Sequence, residues 1–519
     1  FAPDQPTFLK RVWPWSPSPR HPVGISALPP FMAPLGLHNW AGNLQYSASK
    51  LHEPRSTEEV QEIVRRSASV RVLGTRHCFN AIADAEELLT LAQLKGVVCM
   101  DVAAGQVTVW GGTTYGELCL VLEARGLALH NLASLPHISV AGAVATASHG
   151  SGQHNGNLAT AVAGLQLVTG RGKVVELHED EDPGALHAAV VGLGCLGVVT
   201  QLTLRVEPSF SMRQRVFDGL FLSMLSQERL DSVLGAGYSV SLFTSWRPAA
   251  VGSDDVEFRV WLKQRQAGSE SRGQHRWSTV EQLTQGADAP LGGCIECGEK
   301  QHVYKGMDPT TCTDQSCVGP WCDRLPHFSF DFEPGFGDEL DSEYFVPRAS
   351  AAEALRAVHA VAPTIVPFLL VSEIRSIAAD SLLLSPHGER HVGADGSVAL
   401  HFTWRKQEAE VMTQVLPVLE RALEPFEARP HWGKLFAMTR ERLEQLYHGA
   451  LGEFRSIMQQ YDPEARFRNQ WVEATIGSAE PSGSEAMGSD RPHSRAKIVP
   501  AAAEGVAGIR AGRPKAAGA

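Results

Sequence analysis

No stretch of this 519-residue chain reaches the roughly 18 consecutive apolar residues that a membrane span requires, so no spanning helix is expected. Positive charge is in short supply: 46 Lys and Arg stand against 57 Asp and Glu, a formal net charge of −11. A nucleic-acid surface needs clustered basic residues, so that class of partner is excluded. Nine cysteines are too few to staple a chain of this length, and no secretory signal is visible. A reducing, cytoplasmic setting is the expectation.

Hydrophobic content of 43% and charged content of 20% are ordinary for a globular protein. The length allows several domains around a large core. Residues 1–40 are rich in proline, and Lys10, Arg11 and Arg20 outnumber the single acid, Asp4. That composition does not bury a core. It reads as an extension, a linker or a remnant of organelle targeting, with Met32 as an alternative start. From about Ile476 the chain turns to Gly, Ala, Ser and Pro, which reads as a disordered tail over 476–519.

Between these ends the pattern divides. Over 41–207 helices and strands alternate. "STEEVQEIVRRS" opens with the capping-box spacing Ser56…Glu59 and carries Val60, Ile63 and Val64 as one apolar stripe. "VRVLG" and "GQVTVWGG" read as strands, and "TYGELCLVLEARG" as a helix that stops at Gly126. Over 208–421 longer strands appear at 239–246, 256–264, 368–377 and 398–406, separated by helical runs at 350–362 and 407–423. The expected fold class is α+β: two domains, the second an antiparallel sheet with helices on one face. Residues 422–475 form a further segment.

"GLGCLG" (192–197) matches the glycine fingerprint of a dinucleotide site, but its context is inverted. A helical stretch precedes it and a strand follows, whereas the fingerprint needs the reverse. Close helix–strand packing is the reading for these glycines. "NLASLPHISVAGAVATASHGSGQHNGN" (131–157) is a stronger signal. Small residues let main-chain N–H groups approach a bulky anion, and interspersed Ile138, Val140 and Val144 mark it as ordered. Together with "VRVLGTRHCFN" (70–80) it can clamp a dinucleotide. Polar side chains also interrupt apolar strands. Glu373 and Arg375 share one strand face, as do His401 and Thr403, and Lys434 sits among aromatics. They read as a polar pocket or a structural ion pair. Cys294, Cys297, Cys312, Cys317 and Cys322 are spaced as a zinc knuckle only in the first pair. The alternatives are a zinc site or a surface insertion with free thiols; no metal is assigned. "HEDEDP" (178–183) reads as a solvated turn.

Taken in order over about residues 39–475, "NWAGNLQYSA", "VRVLGTRHCFN", "NLASLPHISVAGAVATASHGSG", "LGVVTQLTL", "GYSVSLFTSW", "GPWCDRLPHF", "SEYFVPR", "SEIRSIAAD", "LHFTW" and "ARPHWGKLF" resemble a known family. The chain resembles flavoproteins of the vanillyl-alcohol oxidase, or p-cresol methylhydroxylase-type (PCMH-type), fold. Within it the similarity is greatest to the bacterial alditol oxidases. The resemblance implies an FAD-binding domain at 41–207, a substrate cap at 208–421 with the cysteine insertion on its outside, and a return to the flavin at 422–475. It implies FAD bonded through His77, cradled by Val72, Leu73, Gly74, Thr75, Arg76 and Cys78 and by Ser134, Ser139, Gly142, Thr146, Ala147, Ser148 and His149, with Val199 at the adenine end. Arg76 and Cys78 depart from the family, which usually has Gly and Ser there. The resemblance further implies a substrate site of Ser134, Glu373, Arg375, His401, Thr403 and Lys434, with Arg375, Lys434 and His401 as the catalytic group. The implied reaction oxidises a terminal carbinol of a sugar alcohol to the aldose, with hydride transfer to flavin N5 and reoxidation by O2 to hydrogen peroxide. Ala133, small and next to Ser134, leaves room for oxygen. A sugar-1,4-lactone oxidase or dehydrogenase of the same fold is the nearest alternative; a non-catalytic zinc-binding module is one of another class. Oligomeric state is left open.

Overall fold

Ser56 opens the first helix, α1 (Thr57–Arg66), its hydroxyl accepting the Glu59 N–H at 3.2 Å. The expected box closes one residue early, because the Glu59 carboxylate takes the N–H of Arg55 at 2.7 Å. Val60, Ile63 and Val64 are buried, as their helical spacing requires, against Val70, Leu89 and Val168. A complete capping box, not read from the sequence, starts α2 (Tyr115–Glu123) at Thr114 and Glu117. Gly126 ends that turn at φ +69°, a backbone angle that suits glycine.

The computed structural model describes residues 35–266, 279–286, 289–332 and 337–477. Most of the proline-rich start and nearly all of the tail therefore lie outside the described residues. Three short strands, β1 (Lys50–His52), β2 (Arg71–Leu73) and β3 (Glu87–Thr90), pair in parallel in the order β1-β3-β2. Next come β4 (Val97–Asp101), β5 (Gln106–Trp110) and the short β6 (Leu127–Ala128). β4 and β5 join β7 (Val162–Val168), β8 (Val174–His178) and β9 (Val198–Arg205) in an antiparallel sheet, order β4-β5-β9-β7-β8. β10 (Glu207–Pro208) pairs with β6. Two further helices matter to the site: α3 (Val140–Ala145), and α4 (Pro183–Val190), capped by Asp182 from the acidic turn.

The remaining strands form one nine-stranded sheet: β11 (Ser211–Phe221), β12 (Ser239–Thr244), β13 (Glu257–Arg265), β14 (Ile295–Glu296), β15 (Gly319–Pro320), β16 (Glu339–Pro347), β17 (Leu369–Ile377), β18 (Ser397–Arg405) and β19 (Arg429–Pro430). Its order is β14-β11-β13-β12-β17-β18-β16-β19, with β15 beside β11. Side chains alternate between its faces. One face carries Leu340, Tyr344, Ile374, Leu400, Phe402 and Trp404, packed on Leu355 and Val358 of the helix Ala351–Ala360 and on Leu416 and Leu419. The indoles of Trp404 and Trp246 on this side donate to Ser342 and Ser372, each at 2.8 Å. Each fully buried aliphatic or aromatic side chain contributes about 1.5–3 kcal/mol. That face offsets the cost of the opposite one, which carries charge.

Arg71 ties three distant segments together. Its guanidinium, 2% exposed, donates to the carbonyls of Ile82, Leu193, Gly194 and Phe467 at 2.5–3.0 Å. Arg71→Met keeps the bulk of the stem but takes the guanidinium from four carbonyls; Ile82 and Leu193 keep weak donors in Asn469 and Cys195. A loss of about 3 kcal/mol or more is expected in urea unfolding; a loss below about 1 kcal/mol would show that other donors replace it.

Candidate active site

One cavity of about 400 Å³, partly open to solvent, runs between the glycine-rich loops and the charged face of the large sheet. Its first wall is the turn after β2. Arg76 there adopts φ +66°, the position where the resemblance would place glycine. The main-chain N–H groups of Thr75, Arg76 and His77 find no acceptor among the described residues, which leaves a nest of donors turned to the cavity wall. The Trp40 N–H holds the turn through the Arg76 carbonyl at 2.8 Å, and the Trp40 ring stacks on His77 at 5.4 Å. His77 Nδ1 lies 3.1 Å from Thr75 Oγ1, while Nε2 is shielded from solvent and has no partner. Burial, with His137 and Arg76 nearby, pushes His77 down to about 4, so the imidazole is neutral at neutral pH. Burial likewise pushes the Cys78 thiol up to about 11.

The second wall is residues 133–149. Ser139 Oγ sits 2.9 Å from where a Cβ on either Gly74 or Gly142 would fall, so both glycines permit the two loops to meet. The Ser139 N–H also bonds Thr75 Oγ1 at 3.3 Å. Farther on, the expected main-chain cradle is corrected. The N–H groups of Thr146, Ala147 and Ser148 are already bonded to carbonyls of α3, and Ala147 is fully buried off the cavity. Thr146, Ser148 and His149 still line it. A third wall is unexpected. Gly192, Leu193, Gly194, Leu196 and Gly197 of "GLGCLG" border the cavity with Val199, so these glycines do more than pack α4 on β9. Gly197, at φ +151°, also lets the chain pass the Val168 carbonyl.

The fourth wall is the charged sheet face. Strand register sets Glu343 of β16 opposite His401 of β18, and His401 opposite Glu373 of β17. Asp341 and Thr403 form the next row. The sequence reading paired Glu373 with Arg375, but that contact is only 3.6 Å; Arg375 instead meets Glu343 at 2.8 Å. Glu343 is the residue that reading missed. It is 1% exposed and also receives Lys434 Nζ at 2.8 Å and faces His149 Nε2 at 3.3 Å. It stood in the quoted stretch "SEYFVPR" on the same alternation as Asp341, and that alternation was the available signal. Burial pushes the Glu343 carboxyl up, but Lys434, His149 and Arg375 outweigh it and hold it well below the usual carboxylate range. Glu373 is held at about 2, burial being outweighed by Arg375, His327 and His401. Lys434 Nζ also reaches His401 Nδ1 at 2.7 Å, His401 Nε2 reaches Thr403 Oγ1 at 3.0 Å, and Arg375 Nη1 reaches Ser134 Oγ at 3.4 Å.

One expectation about the cysteine segment is corrected. It does not stay on the outside: its Val303 and Tyr304 line the cavity, as do His327 and Phe328 just after it. The Ser134 carbonyl receives the N–H groups of His327 and Phe328, and buried Lys263 donates through Nζ to the carbonyls of Leu325 and Pro326. All five cysteines are free, and among the described residues no group of three His, Cys, Asp or Glu is placed to hold a metal.

The donor nest beside a neutral imidazole whose Nε2 is unpartnered, continued by glycine-lined walls, fits a dinucleotide that carries a flavin. A family model described as an FAD-binding domain matches residues 48–178, and one for D-arabinono-1,4-lactone oxidase matches 338–475. The chain is 42% identical to alditol oxidase from Streptomyces sp., over 84% of this chain and 97% of that protein. It belongs to the alditol oxidase family. The chain is thus an FAD-dependent oxidoreductase. It is also 27% identical to L-gulono-1,4-lactone dehydrogenase from Mycobacterium tuberculosis, over 85% and 98% of the two chains. In fold it resembles cholesterol oxidase from B. sterolicum (TM-score 0.64, 12% identity, 85% and 96% covered) and 6-hydroxy-D-nicotine oxidase from Arthrobacter nicotinovorans (TM-score 0.59, 16% identity, 83% and 93% covered). The α+β, PCMH-type fold class follows. No helix among the described residues is long and apolar enough to cross a membrane.

Because the folded carboxyls of Glu343 and Glu373 are depressed, the stability they contribute is complete above the unfolded value near 4.5 and is lost as pH falls through the folded values. Glu373→Gln should flatten the stability–pH slope between about pH 4.5 and 2, measured by urea unfolding. Glu343→Gln takes the closest counter-charge from Arg375 and Lys434, leaving them only the longer contacts to Glu373 and Asp341, so a loss of about 3 kcal/mol at pH 7 is expected.

Proposed function

We propose that the chain oxidises a terminal carbinol of a sugar alcohol to the aldose, with oxygen as the final acceptor. The observation that carries this reading is the convergence of Arg375, Lys434, Glu343 and His401 on the cavity whose opposite walls suit the flavin. When bound, FAD supplies the two-electron acceptor. The side chains then have three tasks. Ser134, Glu373 and Thr403 orient the hydroxyls. Arg375 and Lys434 donate to the carbinol oxygen and stabilise the negative charge that develops on it. Lys434 already donates to Glu343 and His401, which leaves one ammonium proton for that oxygen. The hydroxyl proton is taken up within the Arg375–Lys434–His401 group, and the Lys434–His401 contact gives it a path to His401 Nδ1. Ala133, on the same wall, leaves space for oxygen.

His77 is assigned as the covalent tether of the flavin. A neutral imidazole with a free nitrogen is a competent nucleophile, and its buried Nε2 lacks any other partner. Burial depresses the imidazole and Arg76 beside it adds to that depression; burial also keeps the Cys78 thiol undissociated. A second reading, oxidation of a sugar-1,4-lactone, is favoured by the lactone-oxidase model over 338–475.

Steady-state rates on xylitol, sorbitol and gulonolactone separate the two: the polyols should turn over with peroxide release, and turnover of the lactone alone would replace the first reading. His77→Ala should yield folded protein whose yellow colour leaves the pellet on acid precipitation. Acid-stable colour in that variant would remove the tether.

A further inference from the structure

The polar groups of the sheet face continue past those the chemistry needs. Residues two apart on a strand lie about 6.5–7 Å apart. The row Glu343–His401–Glu373 is therefore followed, one such step along, by the row Asp341–Thr403–Val371. A further step reaches Glu339, whose carboxylate accepts the Tyr304 hydroxyl at 2.6 Å. Tyr304 belongs to the cysteine segment, which crosses the sheet here with Val303 and Phe328. The result is a slot with a reactive end at Arg375 and Lys434 and a closed end at Tyr304.

Within this slot two acceptor atoms lack donors. Glu373 Oε1 and Asp341 Oδ1 are both shielded from solvent and have no hydrogen-bond partner. The nearest nitrogens stand off, His327 Nε2 at 3.5 Å and Arg375 Nε at 3.6 Å from Glu373 Oε1, and His401 Nε2 at 3.7 Å from Asp341 Oδ1. Buried acceptors without donors are costly. They suit a ligand that brings hydroxyl donors to two separate places, one beside β17 and the other beside β16, with β18 between them and one row farther along. An extended five- or six-carbon polyol presents hydroxyls at separate places along its length; a five-membered lactone ring is more compact.

We propose that Asp341 is a specificity-determining residue that accepts a distal hydroxyl of an open-chain polyol, in a slot closed behind it by the Tyr304–Glu339 pair. The proposal rests on the polyol reading and adds a length-measuring end to it. The slot also presents Glu339, Asp341, Glu343 and Glu373 against Arg375 and Lys434, a balance that disfavours phosphorylated or carboxylated sugars.

The test compares kcat/KM for glycerol, xylitol and sorbitol in the flavin-loaded wild type, Asp341→Asn and Tyr304→Phe, with flavin absorbance reporting that each variant is folded. In Asp341→Asn the xylitol-to-glycerol ratio of kcat/KM should fall about ten-fold, carried by KM, because glycerol is too short to reach Asp341. In Tyr304→Phe the sorbitol-to-xylitol ratio should change by about three-fold or more, since the end of the slot loses its anchor. An unchanged xylitol-to-glycerol ratio in Asp341→Asn, or an equal loss for both substrates, would overturn the role of Asp341. Should Asp341→Asn fail to take up flavin, an unchanged sorbitol-to-xylitol ratio in Tyr304→Phe overturns the slot. A wild type inert on all three polyols overturns the polyol reading itself, which is a separate result.

Discussion

Everything at the charged end of the cavity depends on one buried carboxylate. Glu343 takes Arg375 on one oxygen and Lys434 on the other, and His149 from the glycine-rich loop faces it as well. Two cations on neighbouring segments would repel each other in a site this dry. With Glu343 between them they are held together near the Ser134 loop. Such a cluster is weak evidence for stability, because desolvating the charges costs as much as their attraction returns. Its value here is positional: it holds Arg375 and Lys434 together and joins the sheet to the glycine-rich loop through His149 and Ser134.

The sheet makes this arrangement affordable. Its alternation sends Leu340, Phe402 and Trp404 to one side, where two helices cover them, and Asp341, Glu343 and His401 to the other. The apolar side supplies burial, and the polar side is free to carry groups that would not stabilise a core on their own. The loops meet a different constraint. Gly74 and Gly142 approach through Ser139, and Arg71 fastens the neighbouring 193–194 turn to the turn at Ile82. A fold of this kind is shared with a cholesterol oxidase and a 6-hydroxy-D-nicotine oxidase at low identity. The likeness speaks to the scaffold and says nothing of the chemistry of the side chains on the sheet face.

Much of this was legible before any coordinates. The apolar stripe of α1, the alternation of the long strands and the small-residue loops each follow from local rules of period and turn chemistry. The shared faces of Glu373 with Arg375 and of His401 with Thr403 follow from the same period of two. Other features were illegible for identifiable reasons. Glu343 lies 30 residues before Glu373, so no local spacing joins it to Arg375. The inverted order around "GLGCLG" rightly argued against a nucleotide-binding helix, yet said nothing of a wall built from the loop itself. Ala147 fits the small-residue pattern but turns inward, because the end of α3 engages its N–H.

What the sequence alone determined, then, was the inventory: an α+β chain with two glycine-rich turns, a histidine beside one of them, and charged pairs on strand faces. Only the tertiary structure decided which of these meet. Strand order and register are properties of pairing across long chain separations, and burial is a property of the whole packed assembly. That is why the partner of Arg375, the inward path of the cysteine segment and the unpartnered oxygens of Asp341 and Glu373 appear only once the sheet is assembled.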